Sequence, residues 1–343
     1  MKTALITGIT GQDGAYLARH LLNEGYRVVG TRRRSASTNT WRLDELGITD
    51  RVEIATIEML EFGSILSALQ ESKPDEIYNL AAQSFVGASF GQPIFTMEAN
   101  AVAVYRLLES IRIVNPEARL YQASTSEMFG GISAESLNET SRFYPKSPYA
   151  VSKVAAHMAT TNYREAHGMF CCNGILFNHE SPLRGAEFVT RKITTNLARI
   201  ALGDDRPLTL GNIDARRDWG YAEDYCRGMH MMMTRGTASD YVLATGVSIS
   251  VRDFFQHAAE ALGMEIVFEG KGAEEVAHDR KSGKCVLRID PGQYRPAEVK
   301  TLIGDASKAR RELGWAPEVE VGGLAAMMAR SDLERLKRGA TLL

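Results

Sequence analysis

The sequence has little cysteine, almost no net charge and no long hydrophobic run. Its four cysteines, in 343 residues, form no CxxC pair and no metal-ligand spacing, which argues against a metal site and suits a reducing cytoplasm. A net charge of −2 lacks the basic excess of proteins that mainly neutralise nucleic-acid phosphates. No run approaches the roughly 18 to 20 apolar residues of a membrane-spanning helix. We therefore expect a cytoplasmic protein that binds neither nucleic acid nor membrane.

Low-complexity tracts, internal repeats and charged tails are also absent. A composition of 44% hydrophobic and 24% charged residues is that of a globular protein, and it excludes disordered, collagen-like and coiled-coil chains. The apolar stretch at the N-terminus breaks into glycines, so we expect a strand and loop there and no export signal. The length allows one large α/β unit or two joined domains.

The first half of the chain alternates short apolar runs with longer helical patterns. This alternation predicts βαβ units and hence a doubly wound parallel sheet of the Rossmann type. The predicted strands are 3–7, 27–30, 52–57, 76–80, 119–123 and 172–177, and the predicted helices are 15–24, 64–72, 99–114 and 151–167.

After residue 177 the alternation loosens. Helices are predicted at 189–201, 251–262 and 324–337, with a return to the sheet near 240–245. We therefore expect a Rossmann domain over 1–177, rejoined by about 216–250 and 286–304. A smaller, discontinuous C-terminal subdomain, formed by 178–215, 251–285 and 305–343, would bind the substrate.

The first predicted strand ends in a GxxGxxG loop that leads into a helix. In this context the loop predicts a dinucleotide-binding turn: Gly8 allows the tight turn, Gly11 lets the backbone approach a pyrophosphate, and Gly14 permits close helix packing. Such a loop can also serve only to turn the chain. Its place at the first β-to-α connection favours the cofactor.

The end of the second predicted strand bears on which cofactor binds. An acidic residue there would bind the ribose 2′-hydroxyl of NAD, whereas this chain has Thr31-Arg32-Arg33-Arg34, which suits the 2′-phosphate of NADP. The alternative is a solvated basic loop. The position at a strand end favours NADP.

A YxxxK pattern opens a helix in the middle of the chain. Ser147 is the predicted N-cap and Pro148 the first helical residue, which places Tyr149 and Lys153 one turn apart on the same face. A nearby ammonium favours the phenolate, so the tyrosine can act as a base near neutral pH. Downstream of a dinucleotide turn, this pair indicates a hydride-transferring site.

These two motifs, in this order, resemble the extended branch of the short-chain dehydrogenase/reductase superfamily, which acts on nucleotide sugars. Ser124-Thr125-Ser126-Glu127 follows the predicted strand 119–123. The resemblance implies that Thr125 holds the reacting oxygen, while Glu127 is an additional acid or base. An extended strand end would place both side chains on one side. The candidate catalytic residues are Thr125, Ser126, Glu127, Tyr149 and Lys153.

Further segments resemble the GDP-mannose 4,6-dehydratase family within that branch. They are 8–14, 32–35, 79–84, 124–127, 144–153, 173–182, 188–194, 211–220 and 290–299. The resemblance implies conversion of GDP-mannose to GDP-4-keto-6-deoxy-mannose with bound NADP, towards deoxyhexoses such as fucose or rhamnose. It also implies a homotetramer, a dimer of dimers.

Site residues carried over by this resemblance fall into two groups. The cofactor group is Gly8, Thr10, Gly11, Gln12, Asp13, Arg32, Glu58, Met59, Leu80, Ala81, Ala82, Ser84, Tyr149, Lys153, His179 and Arg184. The substrate group is Ser84, Asn178, Lys192, Arg217, Tyr294, Arg295 and Glu298. Glu58 departs from the family pattern, because relatives usually carry aspartate at this adenine-contacting position.

Two other functions compete with dehydration. A related reductase would consume NADPH and a related epimerase would invert a centre, both without loss of water. A non-catalytic NADP-sensing regulator would keep the glycine loop but has no need for Tyr149, Lys153 and Glu127 together. Glu127 and the segments 188–194 and 217–220 favour the dehydratase.

Overall fold

The computed structural model describes residues 1–36, 38–132, 136–294 and 302–339. The strands are β1 (Thr3–Thr7), β2 (Arg27–Arg32), β3 (Glu53–Thr56), β4 (Glu76–Asn79), β5 (Arg119–Thr125), β6 (Cys171–Leu176), β7 (Asn178–Glu180), β8 (Leu208–Leu210), β9 (Arg216–Tyr221), β10 (Tyr241–Leu243), β11 (Ser248–Ser250), β12 (Ile266–Glu269), β13 (Val276–Asp279) and β14 (Cys285–Ile289). 

Helices connect most of these strands. They are α1 (Gln12–Asn23), α2 (Trp41–Glu45), α3 (Phe62–Ser72), α4 (Val86–Gly91), α5 (Pro93–Met97), α6 (Ala103–Val114), α7 (Pro148–His167), α8 (Val189–Ala201), α9 (Ala222–Met233), α10 (Val251–Ala261), α11 (Ser307–Leu313) and α12 (Val321–Lys337). No helix within the described ranges combines the length and apolar composition needed to span a membrane.

The chain divides into two compact units. The first unit comprises Met1–Phe177, Ala222–Ala244 and Gly304–Ala316. Its sheet has the order β10-β6-β5-β4-β1-β2-β3, and every neighbouring pair is parallel. This confirms the predicted Rossmann-type fold. The strand order reverses between β1 and β4, and ligands of such sheets bind at the carboxyl ends of the strands near that reversal.

Apolar side chains of the central strands form the core of the first unit. Leu5, Ile77 and Leu120 are almost fully buried and pack in one cluster with Leu69 of α3 and Leu107 of α6. Both faces of a parallel sheet are covered by its crossover helices, so its strands are continuously apolar. This packing holds the strand ends that carry the candidate site.

The second unit comprises Asn178–Tyr221, Thr245–Ile303 and Pro317–Leu343. It contains a three-stranded sheet, β11-β9-β7, and a four-stranded sheet, β12-β13-β14-β8. Its core includes Leu197 of α8, Phe254 and Phe255 of α10 and Leu324 of α12, all inaccessible to solvent.

The bounds of the units differ from those expected. Residues 216–221 and 245–250 belong to the second unit because β9 pairs with β11 and β7. Residues 286–303 belong there too, and β14 pairs with β8. Residues 304–316 instead belong to the first unit, where Gly304 bridges Leu137 and α11 packs near β10.

Candidate active site

The glycine loop between β1 and α1 is tightly packed. Gly8 has a φ of +71°, and a Cβ atom added there would lie 3.0 Å from the backbone nitrogen of Ala81. A Cβ added at Gly14 would lie 2.5 Å from the carbonyl oxygen of Gly8. Only glycine combines that backbone angle with such close approach. The first turn of α1 therefore packs directly against the loop, as expected for a dinucleotide-binding turn.

A cavity of about 380 Å³ opens beside this loop, within the size range of small-molecule sites. The predicted cofactor residues in its lining are Gly8, Thr10, Gly11, Arg32, Glu58, Met59, Leu80, Ala81, Ala82 and Ser84. Gln12 and Asp13 lie in the first turn of α1, where Gln12 Nε2 donates to Asp13 Oδ1 at 2.9 Å. Arg33, Gln83 and Phe95 also line the cavity, and the last two were not predicted.

The charged groups of the cavity fit a dinucleotide phosphate. Arg32 and Arg33 lie at the carboxyl end of β2 and line it. Glu58 also lines it, and its Oε1 accepts from the backbone nitrogen of Leu60 at 3.4 Å. The cavity lining thus combines two guanidinium groups and one carboxylate with the glycine loop. The backbone of that loop allows a phosphate to approach closely.

A buried polar chain lies beneath the cavity. Thr7 Oγ1 donates to Asn79 Oδ1 at 2.7 Å and accepts from the backbone nitrogens of Leu80 and Ala81, both at 3.0 Å. Asn79 Nδ2 donates to Gln122 Oε1 at 2.8 Å. These bonds fix the backbone of two cavity-lining residues. The sequence signal for these hydrogen bonds is the set of polar residues that interrupt otherwise apolar strands.

The end of β5 carries Thr125, Ser126 and Glu127. Thr125 is extended, but Glu127 lies in a 3-10 turn over Ser126–Phe129, so the expectation that an extended strand end aligns them was wrong. The Thr125 hydroxyl caps this turn by accepting from the backbone nitrogen of Glu127 at 3.3 Å. The cap holds the two residues together. Ser126 is almost fully buried and Glu127 is half-buried.

The other catalytic candidates lie on the first turns of α7. Ser147 caps the helix by accepting from the backbone nitrogen of Ala150 at 3.1 Å, and Pro148 opens it, as predicted. Lys153 Nζ lies 5.9 Å from the centroid of the Tyr149 ring and donates to the carbonyl oxygen of Ala123 at 3.0 Å. Burial lowers the pKa of Lys153 to about 8, against the raising effect of Asp13. The lysine therefore ties the helix to β5, two residues before Thr125.

One positioning residue was missed by sequence reasoning. Asn100 lies in a π-helical turn, Glu98–Val102, where a helix over 99–114 was expected. Its side chain donates to the carbonyl oxygen of Gln83 and to Ser152 Oγ, and accepts from the Gln83 backbone nitrogen. Ser152 Oγ in turn donates to the carbonyl oxygen of Tyr149 at 2.7 Å. The sequence signal for this residue is a single amide side chain, that of Asn100, in an otherwise apolar helix. The π-helical turn itself is a feature that is frequent at functional sites.

The remaining predicted residues lie in the second unit. Asn178 and His179 are on β7, which pairs with β9. Arg217 is on β9, buried, and its Nη1 donates to the carbonyl oxygen of Arg216 at 2.7 Å. The guanidinium of Arg184 lies 3.5 Å from the centroid of the Phe188 ring, with its Nε 3.1 Å from Glu180 Oε2.

Lys192 joins two segments of the second unit. Its Nζ donates to the carbonyl oxygen of Thr209 and to Gln293 Oε1, both at 2.8 Å, and burial lowers its pKa. Tyr294 follows Gln293 and is exposed. The other two predicted substrate residues, Arg295 and Glu298, lie outside the described residues. Within the described ranges, His, Cys, Asp and Glu form no group of three or more suited to a metal ion.

Comparison with known proteins places this chain in a family. The family model described as GDP-mannose 4,6 dehydratase matches residues 5–328. A GDP-mannose 4,6-dehydratase of Sinorhizobium fredii is 51% identical over 98% of each chain, and the human enzyme of that name is 43% identical, covering 98% of this chain and 92% of its own. A dTDP-glucose 4,6-dehydratase from Streptomyces venezuelae, solved with NAD, shares the fold with a TM-score of 0.82 at 24% identity over 98% of each chain. The chain therefore belongs to the GDP-mannose 4,6-dehydratase family, whose members are hydro-lyases.

Proposed function

We propose that the protein converts GDP-mannose to GDP-4-keto-6-deoxy-mannose and water, with NADP bound in the cavity of the first unit. The proposal rests on the contacts at the end of β5 and at the start of α7. Thr125 and Glu127 are joined by a cap at the end of β5, and Lys153, beside Tyr149, bonds to the same strand. Membership of the GDP-mannose 4,6-dehydratase family supports GDP-mannose as the substrate.

Two residues take protons in this reaction, Tyr149 and Glu127, and two others assist. Tyr149, assisted by the Lys153 ammonium, takes the C4 hydroxyl proton while Thr125 holds that oxygen. The ketone formed at C4 acidifies the C5 proton, which Glu127 removes as it assists departure of the C6 hydroxyl as water. NADP held by the residues of the cavity lining would supply the redox chemistry, as acceptor of the hydride lost from C4 and donor of the hydride gained at C6. A proton adds to C5 in that last step, so the cofactor would end oxidised.

The guanidinium pair at the end of β2 supports NADP over NAD. Arg32 and Arg33 line the cavity at the position where a 2′-phosphate would lie in this fold, and guanidinium groups bind phosphate with strong charge-assisted hydrogen bonds. Besides the residues of the cavity lining, Gln12, Asp13, His179 and Arg184 are the further proposed contacts. Glu58 would accept a hydrogen bond from the adenine in place of the usual aspartate.

The second unit is proposed to hold the GDP-sugar. Its proposed contacts are Asn178, Lys192, Arg217, Tyr294, Arg295 and Glu298, and Ser84 is the further substrate contact that the family resemblance implies. Lys192 and Arg217 bring positive charge suited to a diphosphate or to acceptor groups of a guanine. The product would lead to GDP-deoxyhexoses such as GDP-fucose or GDP-rhamnose. The proposed compartment is the cytoplasm, which suits four free cysteines.

The protein is further proposed to be a homotetramer, a dimer of dimers. Supporting this, α6 exposes Tyr105 and Ile113, and α7 exposes Val151 and Met158. Exposed apolar side chains that together form one large contiguous patch mark a surface that packs against another chain. Light scattering of the purified protein should give about four times the 37.8 kDa chain mass; a mass of one chain would contradict it.

The function is tested by incubating the purified protein with GDP-mannose and no added cofactor. We expect the alkali-induced ultraviolet absorbance of a 4-keto sugar, a product mass lower by one water, and NADP in the nucleotide released on denaturation. In a parallel incubation with NADPH added, its consumption with no water lost would indicate the reductase. An epimeric GDP-hexose would indicate the epimerase, and NADP binding without turnover the regulator.

A further inference from the structure

Two polar contacts join α7 to β5, one made by the catalytic candidate Lys153 and one made a turn further along the helix by His157. Tyr149, Lys153 and His157 follow at intervals of four residues, so they lie on one face of the helix, and all three are at least nine-tenths buried. Lys153 bonds to the carbonyl oxygen of Ala123. His157 Nδ1 lies 3.1 Å from the Oγ of Ser124, the next residue of the strand. Successive turns of α7 therefore bind successive residues of β5.

The far side of the His157 ring is also held. Its Nε2 lies 3.6 Å from Asp240 Oδ2, and its edge packs against Phe143 with ring centroids 5.1 Å apart. Asp240 is fixed by Arg164, at 2.7 and 3.2 Å, and by the side chain and backbone nitrogens of Asn173. Turning the ring would lose its contact with Ser124 and change its packing against Phe143.

The charges around the ring favour a neutral imidazole. Burial lowers the pKa of His157 by more than the Asp240 carboxylate raises it, and Arg164 lowers it further. A neutral imidazole carries one N–H. With that proton on Nε2, facing Asp240, Nδ1 is left as the acceptor for the Ser124 hydroxyl. The histidine thus presents one ring nitrogen to a carboxylate near β10 and the other to the end of β5.

The position of this link gives it a role beyond the stability of the core. Ser124 immediately precedes Thr125, whose hydroxyl holds the turn that carries Glu127. The opposite end of the same helix face carries Tyr149. Displacing reacting groups by about 1 Å can lower a rate on the order of 10²-fold. The contact between His157 and Ser124 lies where a shift of helix against strand would produce such a displacement.

We propose that His157, which packs against Phe143 and faces Asp240, is a positioning residue: through Ser124 it fixes the register of α7 on β5 and so sets Tyr149 and Lys153 against Thr125 and Glu127. This inference rests on the proposed function. It assigns His157 and Asp240 no contact with substrate or cofactor. Their effect would therefore appear in kcat and leave binding almost unchanged.

The test compares His157→Phe, which keeps a ring beside Phe143, with Ser124→Ala and the double variant. We expect kcat for 4-keto sugar formation to fall on the order of 10²-fold in His157→Phe, with KM for GDP-mannose and the Kd for NADP changed by less than about threefold. The double variant should be no slower than His157→Phe, because both changes break one link. Ser124→Ala removes a single oxygen atom, so it keeps the test available if His157→Phe does not fold.

Thr160→Val is the matched control. Thr160 is buried on the same helix, and its hydroxyl donates within the helix, to the carbonyl oxygen of Ala156, so kcat should stay at the wild-type value. Wild-type kcat in both His157→Phe and Ser124→Ala would overturn the inference, as would an equal loss in Thr160→Val or multiplied losses in the double variant. A wild-type protein inactive on GDP-mannose would instead overturn the proposed function, and this inference with it.

Discussion

The two units hold their buried polar and charged side chains in different ways. In the first unit, the catalytic candidates come from two short segments, 125–127 and 147–153, and are fixed by backbone contacts and one buried lysine. In the second unit, segments far apart in the chain are joined by buried charges. Arg191 bonds to Asp332 at 2.9 Å, with both side chains almost fully buried.

The charged cluster of the second unit organises the loop between β7 and α8. Arg191 Nη1 donates to the carbonyl oxygens of Pro182 and Arg184. Asp332 also accepts from the hydroxyls of Thr194 and Thr195. Candidate catalytic groups are thus placed by local motifs in the first unit, whereas the loop between β7 and α8 depends on long-range ion pairs. Changes in the first unit should therefore affect rate, and changes in this cluster should affect stability.

The largest expected effect is that of Tyr149→Phe. Without the phenol, no base takes the C4 hydroxyl proton, and kcat should fall on the order of 10⁴-fold with the free energy of unfolding unchanged. A single-turnover trace should show no NADPH absorbance. Tyr163→Phe is the matched control on α7, where the hydroxyl bonds to Glu109, and it should keep wild-type kcat. Normal turnover by Tyr149→Phe would show that the YxxxK motif does not place a catalytic group, and it would contradict the comparison between the two units.

Glu127→Gln should lower the rate on the order of 10³-fold, with a different signature. The amide preserves shape but cannot accept the C5 proton, so oxidation at C4 should proceed and NADPH absorbance should persist. Substrate and cofactor binding, measured by calorimetry, should match the wild type. Full dehydration by this variant would show that Glu127 is not the base.

Asp332→Ala tests the other side of the comparison. Removing the carboxylate leaves the buried Arg191 guanidinium without its counter-charge, and the free energy of unfolding should fall by about 3–5 kcal/mol in urea titrations. Asp214→Ala is the control, since the carboxylate of Asp214 is mostly exposed beside Arg252 and its loss should change stability by about 1 kcal/mol or less. Equal effects of the two substitutions would contradict the assigned role of buried charge.

The smallest expected effect is a dependence of stability on pH from Lys153. Burial lowers its folded-state pKa to about 8 from 10.5. Between these values the unfolded chain binds more protons, so the free energy of unfolding rises with pH. The gain of the wild type over Lys153→Met should be about 2 kcal/mol between about pH 7 and pH 9.5. Parallel stability curves for the two proteins would show that the Lys153 ammonium is not destabilised by burial.

Local patterns predicted more of the first unit than of the second. Alternating apolar runs predicted the parallel sheet, and the cap residues Ser147 and Pro148 predicted the start of α7, although the helix pattern was placed three residues late. The turn at Glu127 was missed because it depends on a hydroxyl cap and not on strand alternation. Asn100, Asn79 and Gln122 were missed because a polar residue in an apolar segment does not show which distant group it meets.

In the second unit, the same limit applied more widely. Neither Arg191 nor Asp332 was predicted to have a role, because 141 residues separate them and no periodicity links them. The expected domain bounds differ from the two compact units where β14 pairs with β8 through a long-range parallel contact. The sequence alone therefore predicted the groups carried by short motifs, but it did not predict which distant segments pair with each other.

The central claim is that proton-handling groups of the first unit support an internal redox dehydration. It is tested most directly with GDP-mannose labelled with deuterium at C4, analysed by NMR of the product. We expect deuterium at C6 of the 4-keto-6-deoxy product, with the C5 proton drawn from solvent and no net change in NADPH. Deuterium lost to solvent, or retained at C4, would contradict it.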